Sequence, residues 1–236
     1  MKSIKQLALV TGLLAISGVS QAQFSSTWTA VSDYDFRGFS QSAKGPALQG
    51  SADYAFGDSG FAIGAWASNV DFNDPDEGWV SDADIELDLY GGYTGKVNDT
   101  FSWNAGFVYY GYPGSDLAGE FVEIYAGLNA GNFGFKQWYT DNIFDTGIDA
   151  MYSEANYTQP IGEKFSLAFH LGYAYGDGWE DIETTDYAVQ LNYAAGNFNI
   201  FGKFTGTDGD AEITTDVNNN EARFLIGVST TFPWGD

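Results

Sequence analysis

The sequence predicts an all-β protein: a transmembrane, antiparallel, up-and-down β-barrel of about 12 strands. Three observations lead to this fold class. A two-residue alternation of apolar with polar or small side chains fills the chain, as in residues 101–110 and 165–173. A secretion signal precedes it, and short and long connections alternate along it. Successive side chains of a strand point to opposite faces, so each segment would have one apolar and one polar face.

The first element is a predicted secretory signal peptide over residues 1–22. Lys2 and Lys5 supply a positive start, and the apolar stretch 7–19 is too short to cross a bilayer as a helix. Small residues at Ser20 and Ala22 predict cleavage before Gln23. The strand pattern begins there, so residues 23–236 are predicted to form the barrel.

The strands follow in order, each recognised by its alternation and bounded by Gly, Pro, Asn, Asp or Ser. They are predicted over residues 26–37, 47–56, 61–70, 83–93, 100–112, 120–130, 133–140, 151–159, 165–175, 186–193, 198–205 and 221–232.

The connections between these strands fall into two alternating classes. Short ones cover 57–60, 94–99, 131–132, 160–164 and 194–197; longer, acidic ones cover 38–46, 71–82, 113–119, 141–150, 176–185 and 206–220. Short periplasmic turns and long external loops are typical of an outer-membrane barrel. A soluble β-sandwich could also bury the apolar faces, but it gives no reason for this alternation. Of the long loops, 71–82 and 206–220 are candidates to fold into the barrel.

The apolar faces of the first and last strands are predicted to meet lipid, with aromatic side chains gathered toward the strand ends. These residues are Trp28, Ala30, Tyr34 and Phe36 in the first strand, and Ala222, Phe224, Ile226, Val228 and Phe232 in the last.

Composition excludes several classes of function. Without the signal peptide the chain has seven Lys and Arg against 32 Asp and Glu, a net charge of −25. Nucleic acid needs a basic surface, so it is not expected as a partner. The absence of cysteine excludes disulfides, and a single histidine excludes a His-rich metal site.

Several segments resemble the TorF family of bacterial porins. They are SDYDFRGFSQS (32–42) with PALQG (46–50), GAWASNVDF (64–72), ELDLYGGY (86–93), YYGYP (109–113) and EIYAGL (123–128). The resemblance covers most of the mature chain in order and implies an outer-membrane barrel with a pore role. The association of the family name with trimethylamine N-oxide respiration makes a small zwitterion the first solute to test.

The polar face is expected to line the lumen, because Arg or Lys facing lipid near the midplane would cost roughly 2–4 kcal/mol. Bases on the first and last two strands, facing acids elsewhere, could set up a transverse field across the lumen. Alternatively, the charges could simply pair and fill a barrel too narrow to conduct. The predicted lumen-lining residues are Asp33, Asp35, Arg37, Asp53, Glu86, Asp88, Glu123, Glu154, Asp186, Lys203, Glu221 and Arg223, with Asp84, Lys136 and His170 on the same face.

Catalytic and metal chemistry are only weakly indicated. Ser153 and Ser166 carry no nucleophile motif, and His170 is expected to fill the lumen. Asp208, Asp210 and Glu212 have the opening spacing of a calcium loop, but its glycine and final glutamate are missing. No catalytic site, metal or cofactor is therefore predicted.

The predicted function is a porin-like outer-membrane channel for passive diffusion of small solutes. An acidic lumen would favour cations or zwitterions. The expected partners are outer-membrane lipid, lipopolysaccharide and small polar solutes, and the oligomeric state is left open. Two alternatives remain: a closed structural or interaction barrel whose external loops bind a partner, and an outer-membrane enzyme.

Overall fold

A computed structural model describes residues 23–73, 80–180, 183–208 and 221–234. The predicted signal peptide (1–22) lies outside these residues, as do Asp210 and Glu212 of the calcium-loop pattern. No helix in the described ranges is long and apolar enough to cross a membrane.

The described ranges contain fourteen strands, and twelve of them close a single antiparallel barrel. The other two, β2 and β3, pair only with each other. The predicted fold class is confirmed. The strands are β1 (Gln23–Val31), β2 (Asp35–Phe36), β3 (Phe39–Ser40), β4 (Ala47–Ala55), β5 (Phe61–Asn69), β6 (Ile85–Lys96), β7 (Phe101–Gly111), β8 (Phe121–Ala130), β9 (Phe133–Thr140), β10 (Ala150–Ile161), β11 (Phe165–Tyr175), β12 (Thr184–Ala195), β13 (Phe198–Thr207) and β14 (Arg223–Phe232); short 3₁₀ turns cover Gly57–Ser59, Ile143–Asp145 and Asp177–Trp179.

Each barrel strand pairs with its neighbours in sequence, and β14 returns to pair with β1. At this closing seam Ser26 is opposite Phe232 and Val31 is opposite Gly227. Closure satisfies the backbone hydrogen bonds of both outermost strands, and a sheet that crosses lipid needs this.

The two ends of the barrel differ as predicted. At one end, here called the turn end, the connections are short: 56–60, 97–100, 131–132, 162–164 and 196–197. At the other, the loop end, they are longer: 32–46, 70–84, 112–120, 141–149, 176–183 and 208–222. The start of β1 and the end of β14 both lie at the turn end.

The outer surface of the barrel is apolar. Side chains such as Leu48, Ile124 and Leu171 are more than half exposed, although aliphatic groups normally avoid water. All five strands that rise from a short turn begin with an exposed phenylalanine: Phe61, Phe101, Phe133, Phe165 and Phe198. Such a ring of aromatic residues is typical of a membrane interface.

The prediction for the end of the first strand is wrong. β1 stops at Val31, and the chain then bends inward, so Tyr34 is 8% exposed and does not face lipid. Phe36 also packs inside the barrel, against Tyr110. The bend is held by Asp33, whose Oδ1 accepts hydrogen bonds from the hydroxyls of Ser40 and Ser42 at 2.6 and 3.1 Å.

Candidate functional site

The interior of the barrel contains a loop that folds back into it. We call residues 32–46 the inner hairpin. They connect β1 to β4 and include the strand pair β2–β3. Arg37 and Gly38 form the two-residue turn of this pair, with φ of 50° and 88°. Two successive residues with positive φ are the signature of a type I′ turn, the usual connection of a tight hairpin.

At the tip of the inner hairpin, the Arg37 side chain reaches the opposite side of the lumen. Arg37 donates from Nη1 and Nη2 to the two carboxylate oxygens of Glu123 on β8, at 2.9 and 2.6 Å. Its guanidinium also lies 4.0 Å from the ring centre of Tyr152 on β10. In the ring of barrel strands, β8 and β10 flank β9, which stands opposite β1. The inner hairpin therefore spans the lumen near the loop end.

The base and the turn of the inner hairpin are both tied to the last two strands. Arg223 on β14 donates from Nε to Asp33 Oδ2 and from Nη1 to the carbonyl of Gly38, both at 2.6 Å, and from Nη2 to Asp35. Lys203 on β13 donates to the other oxygen of Asp35, also at 2.6 Å. Ion pairs and charge-assisted hydrogen bonds thus hold the hairpin at both ends.

A second polar network lines the neighbouring wall. The Nε2 atom of His170 lies 2.8 Å from Asp186 Oδ1 and 3.0 Å from the Tyr152 hydroxyl, and its Nδ1 lies 2.8 Å from Asn156 Oδ1. In the described part of the chain neither Ser153 nor Ser166 is a hydrogen-bond partner of this imidazole. Glu154 accepts from the Trp138 indole at 2.9 Å and lies 3.9 Å from Lys136.

A third acidic group, Glu86 and Asp88 on β6, is 3% and 6% exposed. The Tyr34 hydroxyl of the inner hairpin donates to Glu86 Oε1 at a long 3.4 Å. Asp53, nearer the turn end, has both oxygens occupied, by the hydroxyls of Tyr90 and Ser51.

Toward the turn end the interior is polar and half-buried. The inward positions there carry amides and hydroxyls. They include Thr27, Asn104, Asn129, Thr158 and Asn199.

Most of the predicted lumen residues occur within the barrel, but not in the predicted arrangement. Asp33, Asp35 and Arg37 belong to the inner hairpin and not to the first strand. The bases do not form a separate arc: Arg37, Lys203 and Arg223 each pair with a carboxylate. Asp53, Glu86, Asp88, Glu123, Glu154, Asp186, Lys203 and Arg223 stand on barrel strands, with Lys136 and His170.

Two predicted residues lie at the surface of the loop end. Glu221 precedes β14 and its side chain is 73% exposed, with its carboxylate 3.3 Å from Lys44. Asp84 precedes β6 and is also exposed. The strands β6 and β14 begin after these positions, so neither residue stands on the barrel wall.

Sequence reasoning missed the inner hairpin and the aromatic residues around it. It placed Tyr34 on the lipid face and did not single out Tyr110, Trp138 or Tyr152, which surround Arg37 and Glu123. The available signal was Arg37-Gly38 between Phe36 and Phe39, since glycine in a two-residue connection predicts a tight turn.

Solved structures with the same fold are outer-membrane channels. The KdgM porin superposes with a TM-score of 0.58 at 13% identity, over 88% of this chain and 99% of that one. The NanC porin gives 0.57 at 12% identity, over 88% and 99%. The COG4313 outer membrane channel of Pseudomonas putida F1 gives 0.52 at 12% identity, over 91% and 96%. At these identities the likeness establishes the fold.

No curated protein sequence matches the chain. A family model does, over residues 15–232, which is nearly the whole length of the sequence. With its twelve-stranded barrel and inward-folded loop, the chain belongs to the family described as bacterial protein of unknown function, Gcw_chp.

Proposed function

We propose that this protein is a porin-like channel of the bacterial outer membrane, in which the inner hairpin restricts the passage of small polar solutes. The observation that carries the proposal is a closed barrel with an apolar outside and a polar inside. Such a barrel matches lipid on its outer face and offers water and polar solutes a path along its axis.

The proposed location rests on the outer surface. The exposed aliphatic belt and the phenylalanines at the turn end would be unfavourable in water and favourable in a bilayer. The signal peptide predicted over residues 1–22 would direct export, with the turn end in the periplasm. Lipid and lipopolysaccharide are then the immediate partners.

The proposed selectivity rests on the interior charges. Near the loop end, carboxylates outnumber bases along the barrel wall, with Glu86 and Asp88 remote from any of the bases with which the other acids pair. An acidic constriction attracts cations and the positive ends of zwitterions. The resemblance to TorF porins adds small zwitterions as a test group.

A closed structural barrel is the second candidate function. It is favoured by one observation: the inner hairpin spans the lumen and its ions are paired at both ends. In this case the inner hairpin would block the lumen permanently, and the external loops would bind a partner.

Single-channel conductance of the refolded mature protein in planar bilayers separates the two. The decisive comparison is the intact chain against a deletion of residues 35–40, which removes β2, β3 and their turn. A channel gives conductance steps, small or rare in the intact protein and larger in the deletion. A matched six-residue deletion of 113–118, in another loop, should keep the conductance of the intact chain. Absence of steps from the folded, inserted deletion variant would refute the proposal.

A further inference from the structure

We infer that Glu86 and Asp88 form a binding site for one divalent cation, of the calcium or magnesium type, beneath the inner hairpin. The two residues lie two positions apart on β6, so their side chains share the inward face, about 7 Å apart at the Cα atoms. The inference does not depend on whether the barrel conducts.

The first argument is a comparison of the buried carboxylates. Within the described residues, Asp33, Asp35, Glu123, Glu154 and Asp186 each lie within 4 Å of a basic side chain. Asp53 has no base but receives a hydroxyl on each oxygen. Glu86 and Asp88 have neither arrangement.

The second argument is that two of their oxygens are orphaned. Glu86 Oε2 and Asp88 Oδ1 are fully buried and, in the described part of the chain, have no hydrogen-bond partner. A buried acceptor without a partner is destabilising, and more so if it is charged. Both residues belong to the same inward face of β6, so one bound cation could supply positive charge to both.

The surroundings favour a small hard cation over an organic one. Trp66 and Tyr110 are the cross-strand neighbours of Asp88, and Tyr34 packs on Trp66 with ring centres 5.3 Å apart. Glu86 and Asp88 are only 3% and 6% exposed, so a small ion can reach them more readily than an organic solute. No lysine, arginine or histidine of the described chain pairs with either residue.

The charge and the donor atoms favour a divalent ion. Two carboxylates carry two negative charges, which one Ca²⁺ or Mg²⁺ would balance. Both metals prefer oxygen ligands, carboxylates among them, and Mg²⁺ often uses one or two carboxylates and completes its shell with water. The Tyr34 hydroxyl, already 3.4 Å from Glu86, is positioned to serve as a further donor. A cation here would fasten the inner hairpin to β6.

Calcium titration of the refolded, detergent-solubilised mature protein tests the inference, with binding measured by calorimetry in high salt to suppress diffuse binding to exposed acids. We expect one saturable site per chain. Glu86→Gln/Asp88→Asn should weaken binding at least tenfold, while Asp53→Asn, which removes one negative charge at a fully hydrogen-bonded carboxylate, should leave it unchanged. Calcium should also raise the unfolding temperature of the intact protein but not that of the double variant.

The double substitution is nearly isosteric and removes a like-charge repulsion, so the barrel is expected to fold; gel mobility without boiling verifies this. Glu86→Gln alone is the second variant and should also weaken binding. Terbium gives an independent signal, because Trp66 should sensitise its luminescence and Trp66→Phe should dim it.

The inference is overturned if the intact protein has no saturable site for Ca²⁺ or Mg²⁺, or if a folded Glu86 variant keeps that site. The second result would mean that protons neutralise the pair.

Discussion

Arg37 carries most of the interactions at the tip of the inner hairpin. It forms two hydrogen bonds with Glu123, which is 2% exposed, and lies against the rings of Phe36 and Tyr152. Removing one member of a buried ion pair leaves the other charge uncompensated, which usually costs more than removing both. The pair should therefore show strong coupling.

Arg37→Met is expected to destabilise the docked inner hairpin by roughly 3–5 kcal/mol, an upper value because lumen water can solvate Glu123. Arg37→Met/Glu123→Met should recover much of this loss. Chymotrypsin cleavage after Phe39, which is buried in the docked hairpin, measures the effect. Equal cleavage of the single and double variants would show that the pair is not coupled.

Gly38→Ala should also release the inner hairpin. Its φ of 88° strains any L side chain, and a Cβ atom there would collide with the Thr207 side chain and lie 3.0 Å from Asp186 Cβ. We expect a cost of about 2–4 kcal/mol, the sum of backbone strain and overpacking.

Gly131→Ala is the matched control. Gly131 also has a positive φ, of 59°, but a Cβ atom added there would have no neighbour within 4 Å. Only the backbone strain of about 1 kcal/mol should remain, and chymotrypsin cleavage after Phe39 should not change. An equal response of both variants would mean that close packing at Gly38 is unimportant.

At the scale of elements, alternation predicted the barrel strands but could not end the first one. Asp33, Tyr34, Asp35, Phe36 and Arg37 continue the polar–apolar rhythm of β1 in the same parity, after one interruption at Val31-Ser32. What turns the chain inward is a set of partners far along the sequence, such as Glu123 and Arg223. Local periodicity contains no information on such contacts, so the inner hairpin and the pairing of its charges were not predictable from it.

Two connections at the loop end, 70–84 and 112–120, are joined by Asp82. Its carboxylate accepts hydrogen bonds from the Asp116 backbone N–H at 3.0 Å and the Ser115 hydroxyl at 2.6 Å. Both hydrogen bonds lower the pKa of Asp82, and the bond from the Asp116 N–H has the larger effect. Because the pKa of Asp82 is lower in the folded state, its carboxylate stabilises the fold fully above the ordinary aspartate pKa of about 4. This contribution is lost as the pH falls through the lowered pKa.

We therefore expect the loop 112–120 to be protected from hydrogen exchange at neutral pH and to lose protection in acid below about pH 4. In the Asp82→Asn variant, the protection of this loop from hydrogen exchange should be the same at neutral and at acid pH. Asp58→Asn, at an exposed turn at the other end of the barrel, is the control. Protection that is independent of pH in the intact protein would contradict the assignment.

At the scale of the whole molecule, the barrel and the inner hairpin are separable. The barrel is closed by its own strand pairs, none of which involves β2 or β3. Removal of residues 35–40 should leave the resistance of the barrel to unfolding in detergent nearly intact, since no backbone pairing of the barrel is lost.

The opened barrel should prefer cations. With residues 35–40 deleted, Glu123 loses its partner Arg37 and joins Glu86 and Asp88 as an acid without a basic partner, while Lys203 loses Asp35, so three such acids stand against one such base. We expect the reversal potential under a salt gradient to indicate cation preference, strongest at low ionic strength because salt screens the carboxylates.

Glu86→Gln/Asp88→Asn/Glu123→Gln in the same deletion background should abolish that preference. Glu163→Gln, at an exposed position of a turn, should leave it in place. A preference that survives the triple substitution would place selectivity in the external loops and not in the barrel wall.

The connection of the inner hairpin to the final strand constrains the order of assembly. Asp33 and Asp35 emerge directly after β1, but Arg223, which they contact, lies 190 and 188 residues later. Until β14 arrives and pairs with β1, these carboxylates have no partner there and stay hydrated. Docking of the inner hairpin on Arg223 must then follow closure of the barrel. A nascent or truncated chain that lacks β14 would keep the hairpin undocked, so a docked hairpin indicates that the last strand is in place.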